Sequence, residues 1–239
     1  MNVAVIFAGG VGRRMNNSST PKQFLKLHNK PIIIYTLEAF QNCPEVDGIC
    51  ISCLPSHMEY MEQLCKKFEI TKVRWIVAGG STGQESIFNG LEAVHAHCPE
   101  DTVVMIHDGV RPLISSKLIC DNIACVQKKG NAISCTSMIE TPVQIAVDGT
   151  ITAVYDRKNT VIAKAPQSFF LRDIYRAHLQ ARQEGRDDFV DSASMLTHYG
   201  ATLHMVECPW DNIKITTPGD YYIFKAIVEA KENAQIFGI

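Results

Sequence analysis

Hydrophobic residues occur along the chain in two alternating patterns. Short continuous apolar runs are typical of strands buried on both faces, and four are predicted at residues 3–8, 48–54, 72–77 and 102–107. Longer amphipathic segments between and after them predict helices at residues 31–42, 56–68, 85–97 and 115–128. This alternation of strand and helix predicts an α/β fold with a doubly wound, mainly parallel sheet.

The alternation is interrupted once, at residues 144–155. Two alternating runs flank Asp148-Gly149 there, which predicts a β-hairpin with a tight turn. Further helices are predicted at residues 172–183 and 191–198, and strands at 201–208 and 213–216. A last helix is predicted to reach about residue 234, with Thr217 as its cap, Pro218 at its first position and Asp220 in its first turn. Residues 1–239 are therefore expected to form one domain, from which residues 139–157 project as an arm.

Composition narrows the classes of protein that fit this pattern. The chain has 239 residues, is 46% hydrophobic and carries a formal charge of −2, which argues against a general nucleic-acid binder. Its apolar runs are too short to cross a bilayer, and no basic residue precedes the first of them, so we expect a cytoplasmic protein without a secretory signal. Nine cysteines, an odd number, do not resemble a disulfide framework. Cys50 and Cys53 are expected on opposite faces of a strand, as reduced packing residues and not as metal ligands.

Residues that follow the predicted strands carry the candidate chemistry, because ligands of open α/β sheets bind beyond the carboxyl ends of the strands. The first strand is followed by Gly9, Gly10 and Gly12, and then by the cations Arg13, Arg14 and Lys22. Glycine lets the backbone approach an anion, so this loop favours polyphosphate binding over a merely structural turn. No Walker A string is present, and the dinucleotide fingerprint lacks its third glycine, where Met15 stands. An NAD(P)-dependent reductase is therefore a weaker alternative.

Two further segments add acids and a cation. Asp108 ends the fourth predicted strand, where it is suited to hold Mg²⁺ on phosphates, although capping a turn before Gly109 is the alternative. Asp211 and Lys214 accompany the predicted strand at 213–216, and Lys214 taken singly also fits a surface lysine. The combined set indicates phosphoryl chemistry by positioning and electrostatics.

Six short motifs, in this order and spacing, resemble the family of 2-C-methyl-D-erythritol 4-phosphate and D-ribitol 5-phosphate cytidylyltransferases across essentially the whole chain. The motifs are Ala8-Gly9-Gly10-x-Gly12-x-Arg14-Met15, Pro21-Lys22-Gln23, Gly79-Gly80 with Ser86, His107-Asp108-x-x-Arg111-Pro112, Pro166-Gln167-x-Phe169 and Asp211-Asn212-Ile213-Lys214-x-Thr216.

The resemblance implies a Rossmann-like nucleotidyltransferase fold and a reaction in which CTP and a polyol phosphate give a CDP-polyol and pyrophosphate, with Mg²⁺ as cofactor. It also implies a homodimer joined through the hairpin arm, with Arg157 reaching the polyol phosphate in the partner's site. The implied catalytic residues are Arg14, Lys22 and Lys214. The implied nucleotide-binding residues are Ala8, Gly9, Gly10, Gly79, Gly80 and Ser86. The implied polyol-phosphate ligands are Asp108, Arg111, Arg157 and Lys214, and the implied metal ligands are Asp108 and Asp211.

Departures from the family pattern bear on the substrate. The loop after Gly79-Gly80 has Gly83 where the family commonly has arginine, and Ala165 and Val190 stand where methylerythritol enzymes usually have threonine. Gly83 leaves the number of cations in that loop open. Because hydrogen-bonding sites discriminate strongly when a polar partner is missing, Ala165 and Val190 weaken the assignment to methylerythritol phosphate and favour D-ribitol 5-phosphate. Gly9 and Val110 also look more like the ribitol branch. The alternatives are methylerythritol phosphate, as in isoprenoid biosynthesis, and a nucleotide-binding module without catalysis.

Overall fold

A computed structural model describes residues 1–10 and 20–237, with side chains to residue 234. The strands of the main sheet are β1 (Asn2–Ala8), β4 (Gly48–Cys53), β5 (Val73–Ala78), β6 (Val103–Asp108), β7 (Asn131–Ser137), β10 (Val161–Phe170) and β11 (Met205–Glu207). Short strands pair as β2 (Lys26–Leu27) with β3 (Lys30–Pro31), and as β8 (Val143–Ile145) with β9 (Ile151–Val154). The helices are α1 (Ile32–Gln41), α2 (Met58–Lys67), α3 (Gly83–His95), α4 (Ser116–Lys129), α5 (Leu171–Gln183), α6 (Ser192–His198) and α7 (Pro218–Phe237).

The main sheet has the strand order β11-β7-β10-β6-β1-β4-β5. Strand β1 pairs in parallel with both β4 and β6, and β4 pairs in parallel with β5. Strand β10 runs antiparallel to its neighbours β6 and β7. The mainly parallel sheet expected from the sequence is therefore confirmed, with one reversed strand in it.

Both faces of the sheet are buried, as the continuous apolar runs predict. Ala4 and Ile6 of β1 pack on one face with residues of α1, α2 and α4, whereas Val3 and Val5 pack on the other with residues of α3, α5 and α6. Cys50 and Cys53 also divide between these two cores, which confirms the expectation that they point to opposite faces. None of the nine cysteines is in a disulfide. None of the helices in the described part of the chain has both the length and the apolar character needed to span a membrane.

Local signals explain where several helices begin. The hydroxyls of Thr82 and Ser115 accept hydrogen bonds from backbone N–H groups in the first turns of α3 and α4, as N-caps do. At α7 the carboxylate of Asp220 accepts from the backbone of Thr216 and Thr217, and Pro218 occupies the first position, which confirms the predicted start of that helix.

The hairpin is confirmed as a separate two-stranded sheet of β8 and β9, turning at Gly149 with φ of 87°.

Two strand predictions near the C-terminus need correction. Residues 213–216 form no strand, because the segment is held by long-range hydrogen bonds such as that from Ile215 N to the carbonyl of Val110. In the predicted strand at 201–208, only Met205–Glu207 pairs with β7.

Candidate active site

Strands β1, β5 and β6 end at the same edge of the sheet, where a cavity of about 540 Å³ opens. We call it the glycine cavity, because its wall includes Gly9, Gly10 and Gly80. Its other lining residues include Ala8, Lys22, Ser86, Asp108 and Lys214. The strand-end rule therefore brings most of the predicted nucleotide-binding residues to one cavity.

The wall of the glycine cavity is held together through the hydroxyl of Ser86. That hydroxyl accepts a hydrogen bond from Gly80 N at 3.0 Å and donates one to the carbonyl of Thr82 at 2.8 Å. A Cβ atom on Gly9 would lie 2.8 Å from the same Ser86 Oγ, so the close approach of the loop after β1 to the start of α3 requires glycine there. Gly79 supports this wall from behind, with its N–H donating to the carbonyl of Cys53 at 2.6 Å.

Lys22 and Gln23 fix the other side of the cavity. Gln23 is 1% exposed, and its side-chain amide donates to the carbonyl of Ala8 at 2.8 Å, which anchors the end of β1. Lys22 Nζ donates to the carbonyl of Ile215 at 3.1 Å. This bond brings a cation from near the N-terminus to the segment that carries Lys214.

Asp108 is the central charged group, with only 5% of its surface exposed. Lys214 Nζ lies 2.6 Å from Oδ1, while the guanidinium of Arg111 lies 3.2 Å from Oδ2. Arg111 is itself buried and donates to the carbonyl of Asn212 at 2.7 Å. Burial acts to raise the pKa of Asp108, but the charges of Lys214 and Arg111 together hold that pKa below its ordinary value of 3.8. The carboxylate therefore stays ionised and positions two cations.

A second cavity, of about 300 Å³, lies on the far side of this charged group. We call it the side cavity, and it shares Phe7, Gly83, Asp108 and Lys214 with the glycine cavity. Its remaining wall includes Gln84, Arg111, Ala163, Lys164, Ala165, Gln167, His178, Val190, Asp191 and Ser192. Two ligands bound in the two cavities would thus meet at the Asp108–Lys214 pair.

Uncharged amides shape the side cavity, and none of them was among the predicted site residues. Gln167 donates to the carboxylate of Asp191 at 2.9 Å and accepts from Ala193 N at 2.9 Å, which fixes the start of α6. Gln84 donates to the carbonyl of Arg186 and accepts from Phe189 N, tying α3 to the loop before Val190. The Pro166-Gln167 motif was the one sequence signal for Gln167. Gln84 follows Gly83, a position discussed above, but no motif in the sequence indicates a function for Gln84 itself.

Of the predicted site residues that the structure describes, Gly79, Arg157 and Asp211 line neither cavity. Arg14 lies outside the described residues. Arg157 lies just beyond the hairpin, where its guanidinium donates to the carbonyl of Ile139 at 3.3 Å. Asp211 pairs with Lys231 at 3.3 Å, and it lines neither of the two cavities that share Asp108.

Comparisons with known proteins show which family the chain is similar to. The family model for 2-C-methyl-D-erythritol 4-phosphate cytidylyltransferase matches residues 2–230. A ribitol-5-phosphate cytidylyltransferase of Vibrio parahaemolyticus is 49% identical over 238 residues, covering 100% of both chains. A 2-C-methyl-D-erythritol 4-phosphate cytidylyltransferase of Syntrophus aciditrophicus is 36% identical, covering 97% of each chain.

The fold is also similar to a solved structure. The 4-diphosphocytidyl-2C-methyl-D-erythritol synthase of Anaerococcus prevotii superposes with a TM-score of 0.82 at 23% identity, covering 95% of this chain and 96% of that one. At this identity the likeness supports the fold alone.

Proposed function

Because the chain belongs to the 2-C-methyl-D-erythritol 4-phosphate cytidylyltransferase family, we propose that it transfers the cytidylyl group of CTP to D-ribitol 5-phosphate. A phosphate oxygen of ribitol 5-phosphate attacks the α-phosphorus of CTP, and the bond from that phosphorus to the β-phosphate oxygen breaks. The products are CDP-ribitol and pyrophosphate. No covalent bond to the protein is needed, so catalysis rests on positioning and on stabilising charge.

The observation that carries this proposal is the pair of cavities that share Asp108 and Lys214. The glycine cavity offers backbone N–H groups and Lys22, which suits a nucleoside triphosphate. The side cavity offers Arg111 beside Lys214, which suits the phosphate of an acceptor. Two phosphates bound in this way approach each other at Lys214, where the new bond must form.

Lys22 and Lys214 are the cations best placed to stabilise the charge that develops on the phosphates. Lys214 remains 41% exposed although Asp108 holds it, so its ammonium can still meet an anion. Lys22 lines the glycine cavity, and its ammonium is held in place by the hydrogen bond to the carbonyl of Ile215. Arg14 is proposed to join them on the strength of the family resemblance.

The choice of ribitol phosphate rests on two observations. Four relatives named for ribitol 5-phosphate are 48–49% identical, whereas relatives named for methylerythritol phosphate are 35–36% identical. Ala165 and Val190 line the side cavity without the hydroxyls that methylerythritol enzymes usually have at these positions.

Magnesium is proposed as the cofactor, carried into the site on the triphosphate. Mg²⁺ is commonly bound by one or two carboxylates together with substrate phosphates, and Asp108 is the carboxylate at the glycine cavity. Within the described residues no group of three metal-ligating side chains is present, and both oxygens of Asp108 already pair with cations. The donor set therefore fits a metal held mainly by phosphate oxygens, which would neutralise charge on the triphosphate.

A homodimer formed through the hairpin arm is also proposed. Apolar side chains of the arm are exposed, among them Ile145 at 64%, Ile151 at 59% and Val154 at 67%. A lone two-stranded hairpin is marginally stable in water, and contiguous exposed apolar surface marks an interaction site. We expect the partner to cover this surface, with Arg157 reaching the partner's side cavity.

The reaction is tested by supplying CTP, Mg²⁺ and either ribitol 5-phosphate or methylerythritol 4-phosphate to the purified protein and measuring pyrophosphate. We expect turnover with ribitol 5-phosphate. Turnover of methylerythritol phosphate alone would overturn the substrate, and no turnover with either would overturn the reaction. Lys22→Ala should abolish pyrophosphate release without unfolding the protein, whereas Lys26→Ala, a matched change at a nearby exposed lysine, should not.

The arm is tested by the change Ile151→Asp, with Ile223→Asp as a control on the exposed surface of α7. The arm variant should sediment as a monomer and lose activity, while the control should sediment as a dimer. A wild-type protein that sediments as a monomer at micromolar concentration contradicts the proposal.

A further inference from the structure

The segment that carries Lys214 is held in place largely by side chains from other parts of the fold. After β11 ends at Glu207, residues 208–217 belong to no strand or helix. A segment of this kind has to satisfy its carbonyls with local turns and with donors from elsewhere. Three cations are such donors: Lys22 bonds to the carbonyl of Ile215, Arg111 to that of Asn212, and Lys164 to those of Pro209 and Trp210.

Lys164 is the anchor at the start of this segment. It lies on β10, and its Nζ is 2.9 Å from the carbonyl oxygen of Trp210 and 3.4 Å from that of Pro209. The two carbonyls belong to consecutive residues, so one ammonium with several donors fixes the direction in which the chain leaves β11. The amide of Asn212 adds a bond in the reverse direction, donating at 2.8 Å to the carbonyl of Ala165, the neighbour of Lys164.

The ammonium of Lys164 is directed at these carbonyls and not at a carboxylate. Arg111 and Lys214 share Asp108, whereas no acidic side chain of the described residues forms an ion pair with Lys164. Burial is the largest influence on the pKa of Lys164 and lowers it from the ordinary value, so the side chain packs against the protein instead of extending into water. Hydrogen bonds from a charged donor are stronger than those between neutral groups, which makes this side chain a firm anchor.

Lys164 differs from the other two anchors because the proposed reaction gives it no phosphate to bind. Arg111 and Lys22 are assigned to the phosphates of the two ligands, so ligands engage the same groups that hold residues 212 and 215. We propose that Lys164 is a positioning residue for the transfer reaction, which fixes residues 209–214 so that Lys214 Nζ stays at Asp108, where the two cavities meet. The inference rests on the proposed function, and it adds a residue that none of the sequence motifs contains.

The test replaces Lys164 by methionine, which keeps an unbranched side chain of similar length but cannot donate a hydrogen bond. We expect kcat with CTP and ribitol 5-phosphate to fall about tenfold, with an unchanged KM for CTP, because Lys214 is then less often in place. Lys164→Arg, which can donate to the same carbonyls, should restore most of the activity. Lys128→Met, a matched change at an exposed lysine of α4, should behave as wild type.

A second background shows whether Lys164 acts through Lys214. In Lys214→Ala, the further change Lys164→Met should reduce kcat little more, because no ammonium is left to position. A loss that multiplies in full in this background overturns the inference while the proposed function stands. So does an unchanged kcat in Lys164→Met, and so does an effect confined to the KM for ribitol 5-phosphate, which would mean that Lys164 binds the substrate directly.

Hydrogen exchange of the protein without ligands gives a readout that does not depend on activity. Peptides that cover residues 209–215 should exchange faster in Lys164→Met than in wild type or Lys128→Met, while peptides from β1, β4 and β6 should exchange as in wild type. Unchanged exchange at residues 209–215, or faster exchange throughout the chain, overturns the inference. Inactivity of wild type towards ribitol 5-phosphate removes the proposed function, and the exchange result then still decides whether Lys164 fixes the segment that carries Lys214.

Discussion

The contact between Gly9 and Ser86 allows a quantitative test of how the nucleotide side of the site is built. In Gly9→Ala, the new Cβ would lie 2.8 Å from Ser86 Oγ, so the hydroxyl must rotate away. Rotation breaks the bonds of that hydroxyl with Gly80 N and with the carbonyl of Thr82. At about 1 kcal/mol for each bond, Gly9→Ala should lower the free energy of unfolding by about 2 kcal/mol. For a chain of this size that corresponds to a fall in melting temperature of about 4–8 °C.

A double-mutant cycle separates this effect from a general intolerance of alanine. In a Ser86→Ala background the closest side-chain atom to the new Cβ is the Cβ of residue 86, at 3.7 Å, which is an ordinary contact. Gly9→Ala should then cost less than about 0.5 kcal/mol, giving a coupling free energy of about 1.5 kcal/mol. Gly10→Ala is the matched control, since nothing lies within 4 Å of a Cβ there.

The assay is urea unfolding of the four proteins of the cycle and the control, with thermal melting as a second measure. Steady-state KM for CTP should rise in Gly9→Ala, because the displaced hydroxyl no longer positions Gly80 N in the glycine cavity. Equal destabilisation by Gly9→Ala and Gly10→Ala, or an additive cycle, would refute the reasoning.

Two further changes are predicted. Gln84→Leu should raise the KM for the polyol phosphate several-fold and leave the KM for CTP unchanged, because Gln84 hydrogen-bonds the backbone of Arg186 and Phe189 beside the side cavity. Gln63→Leu, at an exposed glutamine, is the control in the same kinetic assay. His178 has a pKa of about 4 in the folded protein against 6.5 ordinarily, so the unfolded chain binds the proton more tightly and stability falls as pH falls from 6.5 towards 4. Relative to wild type, His178→Phe should therefore gain about 2 kcal/mol in the free energy of unfolding between pH 7 and pH 5, measured by urea titration; parallel pH profiles would contradict this.

The strands and helices that the sequence predicted well are those whose apolar residues face the two large cores. Strands β7 and β10 were missed because their buried positions include polar residues. Ser134 and Ser168 are fully buried, and both bond to the side chain of Asn122, a pairing that only the folded sheet brings about. The segment at 213–216 has the alternation of a strand, yet Ile215 N bonds to a loop carbonyl and its residues join no sheet.

The same distinction holds for the candidate site. The glycines, Lys22, Asp108 and Lys214 could be predicted because ligands bind where the strand ends converge. Glycines and charged residues near those ends are visible in the sequence itself. The roles of Gln23 and Gln84 could not, since uncharged side chains acquire their partners from residues far away in the sequence. Gln84, for example, is bonded to the backbone of residues 102 and 105 positions later in the chain.

The segment around Lys214 sets a condition on when the protein becomes active. All strands of the main sheet are complete once the chain reaches Glu207, so the sheet can form before the last residues are available. At that stage Asp108 has Arg111 but lacks Lys214, and Lys22 lacks the carbonyl of Ile215. A ribosome-bound chain, or one cleaved after Cys208, would therefore have its strands but an incomplete reaction centre. Activity should therefore begin only after the C-terminal segment has docked against the sheet.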